Sequence, residues 1–450
     1  PCFPSIHTFG RRLPFSAPSE EGEWPMSRAW LFPIILGTLV AGATGQEAQR
    51  FAVCAGVNEY RDFNIPGRTE GETYAFLVAE RFANPEIGAV PMDRVGALAG
   101  GQASLSNLVG ALEFCQSAAA EDEVFIYLCL TLVASVGEDG QLELYLCPYN
   151  ADLADLPNTA ITVRQLADYV AAIPATKKLV MLDASPWDAF RAEGTPEDLA
   201  VPGDVLEPLA SSSLVLSAVS PGQKLNEAGL ARPLLGFCLT NCVTGFADTD
   251  PPDATVTVKE LVGFTKSTAE RVYQGGGGEA QTPTLLGGEP SDAMVMKSMP
   301  PEPRCPAGMR LVEGRVCIDV FEAPNLPGAK PMADINQFGA SGWCRQKDKR
   351  LCEPDEWEAG CRGPDGLQFS YGNRPVLGAC NIGVMMGEDA HAERLGSRPY
   401  CVSGYGLYDM IGNVAEWIGS NWGSEETTVD HRGASFRDQR LDRFDCTTGG

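Results

Sequence analysis

The sequence predicts two domains, an α/β sandwich followed by an irregular α+β domain. Between residues 50 and 297, short apolar runs alternate with helical patterns, which is typical of a parallel sheet covered by helices. From residue 305 onwards the sequence is rich in Gly, Trp and Cys and has few long periodic segments. The Pro-rich stretch 298–304 lies between these regions and predicts a linker.

The elements of the first domain follow from their residue patterns. Short runs that are apolar on both faces predict buried strands at residues 51–55, 123–130, 178–183 and 213–218. Apolar residues at helical spacing predict helices at residues 74–83, 104–118 and 163–173. Strands and helices that alternate in this way predict an α/β sandwich.

The second domain contains fewer predicted elements. A hairpin is expected to end near Ile318, and helices are expected at residues 340–349 and 354–361, with Trp357 facing inward. The rest reads as short strands and long loops. Such a domain buries its backbone groups inefficiently, so disulfides are expected to stabilise it.

The composition argues against some classes of partner. With 450 residues, of which 44% are hydrophobic and 21% are charged, the chain is globular and long enough for two cores. Its net charge of -25 argues against a nucleic-acid partner, because phosphate binding needs a basic surface.

The first residues have the layout of an export signal. Residues 26–45 contain a short basic start, an apolar core and small residues before a cleavage position near Gly45, which predicts a signal peptide. The apolar core is too short for a transmembrane span, and no later run is long enough. Residues 1–25 precede a suitable start methionine and are not expected in the mature protein. The protein is therefore expected to be secreted or periplasmic, with no membrane span after cleavage.

The cysteines fit an oxidising compartment. Eight of the fifteen follow residue 300, and the even number suggests disulfides among Cys305, Cys317, Cys344, Cys352, Cys361, Cys380, Cys401 and Cys446. Eight cysteines allow about 105 pairings. Cys305 and Cys317 flank the predicted hairpin and are the preferred pair. A zinc site is disfavoured because paired CxxC motifs are missing from the sequence.

Four cysteines of the first domain lie in apolar surroundings. They are Cys129, Cys147, Cys238 and Cys242. Buried free side chains are favoured over disulfides for this group.

The stretch 406–417, Gly-Leu-Tyr-Asp-Met-Ile-Gly-Asn-Val-Ala-Glu-Trp, resembles the signature of the formylglycine-generating, or sulfatase-modifying-factor, family. Companion motifs in the same order as in that family lie at residues 350–363, 371–373, 381–382 and 432–436. The resemblance covers about the last third of the chain, assigned here to residues 305–450. It implies an irregular α+β fold related to C-type lectins.

The resemblance also implies calcium. Asp409 and Glu416 would supply side-chain oxygens, and Gly412 and Val414 would supply backbone carbonyls. Asn381 and Ile382 match the start of a second calcium site. Hard carboxylate and carbonyl oxygens are the ligands that calcium prefers. The alternative is that Asp409 and Glu416 only hydrogen-bond the surrounding loop.

The family's oxidase chemistry depends on two cysteines that bind copper shortly after an Arg-Gly-Gly-Ser-Phe-like strand. Here these positions hold Asp438 and Arg443, which cannot replace soft thiolate ligands. No copper is therefore expected. Iron-dependent relatives need several histidines, and this domain has only His391 and His431.

Relatives also have a Phe-Arg-Cys-like strand after a similar stretch. The sequence is therefore expected to be truncated by a few residues beyond Gly450, which would leave Cys446 without a partner.

The first domain, residues 50–297, resembles the caspase-like cysteine peptidases. The resemblance rests on residues 51–60, 125–127, 144–146 with Asp152, 179–184, and 216–218 followed by Glu227. Such a peptidase needs a thiolate and an imidazole. Thr131 stands where the histidine is expected and Ser185 where the cysteine is expected, and the sequence has no histidine between residues 50 and 300. The resemblance therefore implies a pseudo-peptidase.

The sequence thus predicts an exported binding or scaffolding protein that acts on a protein or glycan ligand. The long loops of the second domain suit recognition. The alternative is a sulfatase-modifying oxidase of the formylglycine-generating type with an altered active centre.

Overall fold

The computed structural model describes residues 48–137, 140–196, 199–273, 281–382, 390–419, 431–438 and 445–447. The predicted leader and Arg443 lie outside the described residues. The described chain divides into two compact units: the first takes residues up to 243 and 247–298, and the second takes residues 244–246 and those from Met299 onwards. None of the helices described is both long and apolar enough to cross a bilayer.

The first unit contains twelve of the described strands. In chain order they are β1 (Arg50–Gly56), β2 (Val95–Ala99), β3 (Glu123–Cys129), β4 (Leu132–Val136), β5 (Leu142–Leu146), β6 (Ile161–Thr162), β7 (Lys177–Leu182), β8 (Phe190–Arg191), β9 (Leu214–Ser217), β10 (Thr255–Thr257), β11 (Thr284–Leu286) and β12 (Met294–Lys297).

Helices lie between these strands. They are α1 (Gly71–Ala83), α2 (Leu105–Cys115), α3 (Leu156–Thr159), α4 (Val163–Ala171), α5 (Glu207–Ala210), α6 (Glu227–Leu230), α7 (Leu234–Asn241) and α8 (Val258–Tyr273). The three helices predicted from spacing are confirmed as α1, α2 and α4. Thr162 and Gln165 form a reciprocal capping box that fixes the start of α4.

The main sheet has six strands in the order β11-β9-β7-β3-β1-β2. The four strands predicted from apolar runs are neighbours in it and run parallel. Strand β1 is buried along its whole length, which explains why its sequence does not alternate between polar and apolar residues. Strand β11 pairs antiparallel with β9 and makes the sheet mixed. A second sheet has the order β6-β5-β4-β8, and β10 pairs with β12.

The cysteines described in the first unit are buried and form no disulfide. They are Cys54, Cys115, Cys129, Cys147, Cys238 and Cys242. The prediction that the four cysteines it named are buried and not joined in disulfides is confirmed.

The second unit has less regular structure. Its described elements are β13 (Met309–Val312), β14 (Val316–Asp319), α9 (Gln337–Gln346), α10 (Pro354–Arg362), β15 (Glu416–Trp417) and β16 (His431–Arg432). The predicted hairpin is β13-β14, and the two predicted helices are present, although α9 begins and ends earlier than expected. Trp357 on α10 is buried, as expected, in a core that includes Cys361, Leu407 and Ile418.

Three disulfides join distant parts of this loop-rich unit. Their S–S distances are 1.95 Å for Cys305–Cys317, 2.09 Å for Cys361–Cys446 and 1.99 Å for Cys380–Cys401. The preferred pair, Cys305 and Cys317, is thus joined. The expectation that Cys446 has lost its partner is wrong. Cys446 donates its N–H to the Gln368 carbonyl at 2.9 Å, which places its sulfur beside the buried face of α10 that carries Cys361.

Candidate functional site

Residues 406–417 form a buried loop that ends in strand β15. Asp409, Gly412 and Asn413 have φ angles of 56°, 87° and 55°, so the backbone enters the left-handed region three times within five residues. This conformation excludes a helix and agrees with the looped reading of the sequence. It directs neighbouring side chains of the loop inward, and Asp409 and Asn413 are both buried.

Asn413 holds the loop in place. Its Nδ2 donates to Glu322 Oε2 at 2.7 Å, and its Oδ1 accepts from Asn381 Nδ2 at 3.0 Å and from the Glu393 N–H at 2.8 Å. Its own N–H donates to the Asn381 carbonyl at 2.9 Å. The structure therefore brings Asn381, and with it Ile382, against the loop that carries Asp409 and Glu416.

Three carboxylates lie together beneath this loop and are called the carboxylate cluster: Glu322, Asp409 and Glu416. Glu322 was not predicted. Its Oε1 accepts from the Val414 N–H at 2.9 Å, so the side chain is anchored by the loop on both of its oxygens. Glu416 accepts from Trp357 Nε1. The sequence gives no signal for Glu322, which stands between Phe321 and Ala323 far from the family motifs.

The carboxylate cluster resists ionisation. Burial is the main cause that raises the pKa of Glu322 well above its ordinary value, and the charges of Asp409 and Glu416 raise it further. Burial likewise raises the pKa of Asp409, with a further rise from the charge of Glu393 and an opposing effect from Arg398. Burial raises the pKa of Glu416 to about 7, against the hydrogen bond from Trp357.

Arg398 is the cation that opposes the rise in the pKa of Asp409. Arg398 is paired with Glu393 through its Nε at 3.1 Å, so its charge is shared with a fourth carboxylate. Buried carboxylates without a cation hold protons, whereas a divalent ion would favour their ionised form. Within the described ranges, no three His, Cys, Asp or Glu side chains are arranged to hold a metal. A cation here would therefore need backbone carbonyls in addition to carboxylates.

Asp438, at a position where the family resemblance implies a copper-binding cysteine, is engaged in its own turn. Its Oδ2 accepts from the Ser435 N–H at 2.7 Å and from Ser435 Oγ at 3.0 Å. The Asp438 N–H in turn donates to the Ser435 carbonyl at 3.0 Å. These bonds give the carboxylate a structural role in the turn.

A groove of about 1290 Å³ opens beside the carboxylate cluster, and Glu322, Val414 and Glu416 are among the residues that line it. Its lining includes Trp343, Trp417, Cys344, Cys352 and Asp319. The groove leaves no mark in the sequence, because its walls come from the β13-β14 hairpin, helix α9 and the 408–417 loop, which are far apart in the chain.

In the first unit, Thr131 and Ser185 lie at the same edge of the main sheet. Strands β3 and β7 are adjacent and parallel, with Leu128 opposite Leu182, and each residue follows the carboxyl end of its strand. Thr131 Oγ1 donates to the Pro66 carbonyl at 2.7 Å, and Ser185 Oγ donates to the Gln223 carbonyl at 2.9 Å. Both hydroxyls thus hold backbone segments in place.

Arg68 joins the two strand ends at this edge. Its Nη1 donates to the Asp183 carbonyl at 2.8 Å and to the Leu130 carbonyl at 3.3 Å. The Asp183 carboxylate accepts from the Gly236 N–H at 3.0 Å. Burial raises the pKa of Asp183 to about 6, against the opposing charge of Arg68.

Comparison with known proteins finds a family similarity in the C-terminal part of the chain. Residues 254–449 match the family model described as sulfatase-modifying factor enzyme 1-like domain. The formylglycine-generating enzyme of Streptomyces coelicolor is 32% identical over 130 residues, which is 26% of this chain and 40% of that protein. The corresponding enzyme of Thermomonospora curvata is 28% identical over 137 residues, 25% of this chain and 45% of that protein.

Another relative is the inactive C-alpha-formylglycine-generating enzyme 2 of Bos taurus, 30% identical over 117 residues, 24% of this chain and 39% of that protein. The chain thus spans less than half the length of each of these relatives. Protein GSU0716 from Geobacter sulfurreducens, a solved structure, aligns over 56% of this chain and 95% of its own, with a TM-score of 0.35 and 12% identity. Residues 254–449, which are less than half of the chain, are thus similar to sulfatase-modifying factor enzyme 1-like domains.

Proposed function

We propose that this chain is an exported binding or scaffolding protein built on two catalytic folds that have lost their reactive groups. The observation that carries the proposal is the hydrogen bonding of Asp438. A carboxylate that accepts from both the N–H and the hydroxyl of Ser435 fills a position where copper chemistry needs a free thiolate. A hard oxygen ligand committed to a turn cannot replace a soft sulfur ligand for monovalent copper.

A relative supports a non-catalytic role for this type of domain. The Bos taurus protein, 30% identical over the matched region, is named as an inactive member. We infer that the present domain is inactive because Asp438 and Arg443 stand at the positions of the two expected cysteines.

The first domain is proposed to be a caspase-like pseudo-peptidase. Its parallel sheet brings Thr131 and Ser185 to one edge, where a cysteine–histidine dyad would need to assemble. The hydroxyl of each is donated to a backbone carbonyl, and the sequence offers no imidazole base between residues 50 and 300. A serine without a base does not attack an amide at neutral pH.

The carboxylate cluster is proposed to bind calcium. Asp409 and Glu416 would provide side-chain oxygens and Gly412 and Val414 backbone carbonyls, with Glu322 as an additional neighbouring carboxylate. The support is electrostatic: the pKa values of the three carboxylates are raised, chiefly by burial, and Arg398, which opposes the rise for Asp409, is shared with Glu393. Asn381 and Ile382 lie against the same loop and are proposed to begin a second site.

The ligand is proposed to be a protein or a glycan. A lectin-related fold with long loops held by disulfides and calcium presents variable surfaces on a rigid base. Secretion, or release into a periplasm, is proposed from the leader sequence and agrees with three disulfides in the second unit. No nucleic-acid partner is proposed, because the chain carries a net charge of -25.

The test is oxygen consumption by the full chain with a cysteine-containing sulfatase peptide, with and without added copper. The formylglycine-generating enzyme of Streptomyces coelicolor serves as the positive control. We expect no oxygen uptake and no aldehyde in the peptide under either condition. Copper-dependent turnover that is abolished by substituting cysteines would overturn the proposal.

One observation favours the alternative, an oxidase with an altered centre. Cys344 and Cys352 are free thiols, and both line the groove of the second unit. The same oxygen assay on Cys344→Ser and Cys352→Ser decides whether they replace the missing pair. Turnover in the wild type that is lost in both variants would establish the alternative.

A further inference from the structure

One buried carboxylate connects three elements of the first unit. Asp183 directly follows strand β7, and its side chain is completely buried. Its Oδ2 accepts from the Gly236 N–H at 3.0 Å and from the Tyr127 hydroxyl at 3.3 Å. Gly236 lies in the first turn of helix α7, and Tyr127 lies on strand β3. The carboxylate therefore joins two strands of the main sheet to the start of a helix.

Helix α7 approaches this carboxylate closely. A Cβ atom at Gly236 would lie 2.5 Å from the Tyr127 hydroxyl oxygen and 2.9 Å from side-chain atoms of Tyr74, so this position requires glycine. All eight residues of α7 are buried, and the helix packs against α1 and α8. The bond between Asp183 and the helix is thus an internal contact.

One oxygen of Asp183 lacks a donor. Among the described residues, its Oδ1 has no hydrogen-bond partner. The small polar cavity that Asp183 lines with Arg232, Tyr273 and Gln281 is too narrow for a water molecule. A buried oxygen without a donor costs less in a neutral carboxyl group than in a carboxylate. The geometry thus favours the protonated form of Asp183.

Two arginines lie near this carboxyl group. Arg68, in the loop before α1, donates through Nη1 to the backbone carbonyls of Leu130 and Asp183. Arg232, just before α7, is paired through its Nε with Glu70 at 3.3 Å. Burial raises the pKa of Asp183 to about 6, and the charge of Arg68 opposes this rise without cancelling it.

The other titratable groups packed around Asp183 hold their protons. Burial raises the pKa of the Tyr127 hydroxyl on β3 well above its ordinary value, with further rises from Cys129 and Asp183. Burial also raises the pKa of the Cys238 thiol on α7. These groups therefore stay neutral across the pH range in which Asp183 changes its charge.

We propose that Asp183 is a proton-controlled brace between helix α7 and the edge of the main sheet at which β3 and β7 end, firm when the carboxyl group is protonated and looser when it is ionised. Loss of the proton leaves a charge on a buried group with one unpartnered oxygen. A stronger bond to the Gly236 N–H does not offset the lost hydration. The edge that carries Thr131 and Ser185 is therefore inferred to be held more tightly in mildly acidic surroundings than at neutral pH.

The direction of the effect follows from proton linkage. In a locally opened chain an aspartate titrates at about pH 4. In the closed structure the pKa of Asp183 is about 6, so the closed state binds more protons between these values and loses stability as pH rises. From about pH 5 to about pH 7 the equilibrium constant for opening should rise about tenfold.

The test is hydrogen exchange of the full chain, read by mass spectrometry on peptides from α7 at about pH 5 and about pH 7. Each rate is divided by the intrinsic exchange rate at that pH, which leaves the protection of the amides. In the wild type we expect protection in Leu234–Asn241 to fall about tenfold over this range. Asp183→Asn keeps an acceptor oxygen but cannot titrate, so its protection should be the same at both pH values.

A matched control and a second measurement complete the test. Asp188→Asn replaces a half-exposed carboxylate on the same segment and should behave as the wild type. With the aspartate carboxyl carbons labelled with ¹³C, the NMR signal that Asp183→Asn removes should titrate at about pH 6. Carboxylates of the second unit cannot produce the expected difference, since they are the same in the wild type and in Asp183→Asn.

Three results would overturn the inference. They are equal wild-type protection of α7 at both pH values, an equal fall of protection in Asp183→Asn, and a carboxyl midpoint at about pH 4. The first of these needs no variant, so the inference stays open to refutation even if Asp183→Asn does not fold.

Discussion

Asn413 donates through Nδ2 to Glu322 Oε2 at 2.7 Å, although the two residues are 91 positions apart in the chain. The backbone of Asn413 lies in the left-handed region, and the Glu322 side chain is buried. This bond connects the family motif to a carboxylate outside it. The geometry of the carboxylate cluster thus depends on a residue that is not one of its members.

Asn413→Ala is expected to destabilise the second unit by about 3 kcal/mol, because it leaves buried polar groups of Glu322, Asn381 and Glu393 without their partner. Asn413→Gly loses the same bonds but tolerates the φ of 55°, so its loss should be about 1 kcal/mol smaller. Urea unfolding of both variants checks this. Equal stability of the alanine and glycine variants would contradict the role of backbone conformation.

The stability of the calcium-free protein is expected to fall as pH rises from about 5 through 7. In the unfolded chain these carboxylates titrate at about pH 4. In the folded protein, burial raises the pKa of Glu416 to about 7 and also raises the pKa values of Asp409 and Glu322. In this window the folded state binds more protons than the unfolded state, so the free energy of unfolding decreases with pH.

Calcium should oppose this loss, since it binds the ionised carboxylates. The rise in melting temperature on adding calcium, measured against a chelator, should therefore be larger near pH 8 than near pH 5.5. The Glu416→Gln variant removes one of the titrating groups, so the stability measured in chelator should depend less on pH. A calcium response of the same size at both pH values would count against the site.

The Cys361–Cys446 bond is expected to contribute more stability than the Cys305–Cys317 bond. The loops that they close have sequence separations of 85 and 12 residues. Loop-closure entropy then gives about 4–5 kcal/mol for the longer loop and about 3 kcal/mol for the shorter one. Thermal unfolding of the double variants Cys361→Ala/Cys446→Ala and Cys305→Ala/Cys317→Ala compares them. Equal losses would show that strain or residual structure outweighs chain entropy.

Ser185→Ala is expected to lower stability by about 1–2 kcal/mol without changing any cleavage activity. The Ser185 hydroxyl donates to the Gln223 carbonyl and accepts from the Asp188 N–H, so its loss removes two local bonds. Arginine, lysine and aspartate reporter peptides should remain intact with the wild type and the variant. Exposed Ser106→Ala is the matched control and should change stability little. Reporter cleavage that Ser185→Ala abolishes would refute the pseudo-peptidase proposal.

Local patterns predicted the elements well and the long-range contacts poorly. The four apolar runs become neighbouring strands because a parallel sheet buries both faces of each strand, which leaves a clear mark in the sequence. Cys305 and Cys317 could be paired because they flank one hairpin. The partner of Cys446 could not be found in this way, since it lies 85 positions away on a helix.

The carboxylate cluster shows the same limit. Asp409 and Glu416 belong to one recognisable motif, but Glu322 reaches them only through tertiary folding, and its neighbours Phe321 and Ala323 give no indication of it. The same limit applies to Thr131 and Ser185. Their residue types indicated that a dyad was missing, but only the structure reveals the carbonyls to which their hydroxyls donate.

The position of Arg68 constrains any attempt to engineer proteolysis into the first unit. A histidine installed at position 131 would adjoin Leu130, whose carbonyl accepts from this guanidinium. The permanent positive charge would weaken the new imidazole as a proton acceptor. Replacing Arg68 first would release the Leu130 and Asp183 carbonyls that it now ties together. A designer would therefore have to rebuild the support of the sheet edge before adding a nucleophile.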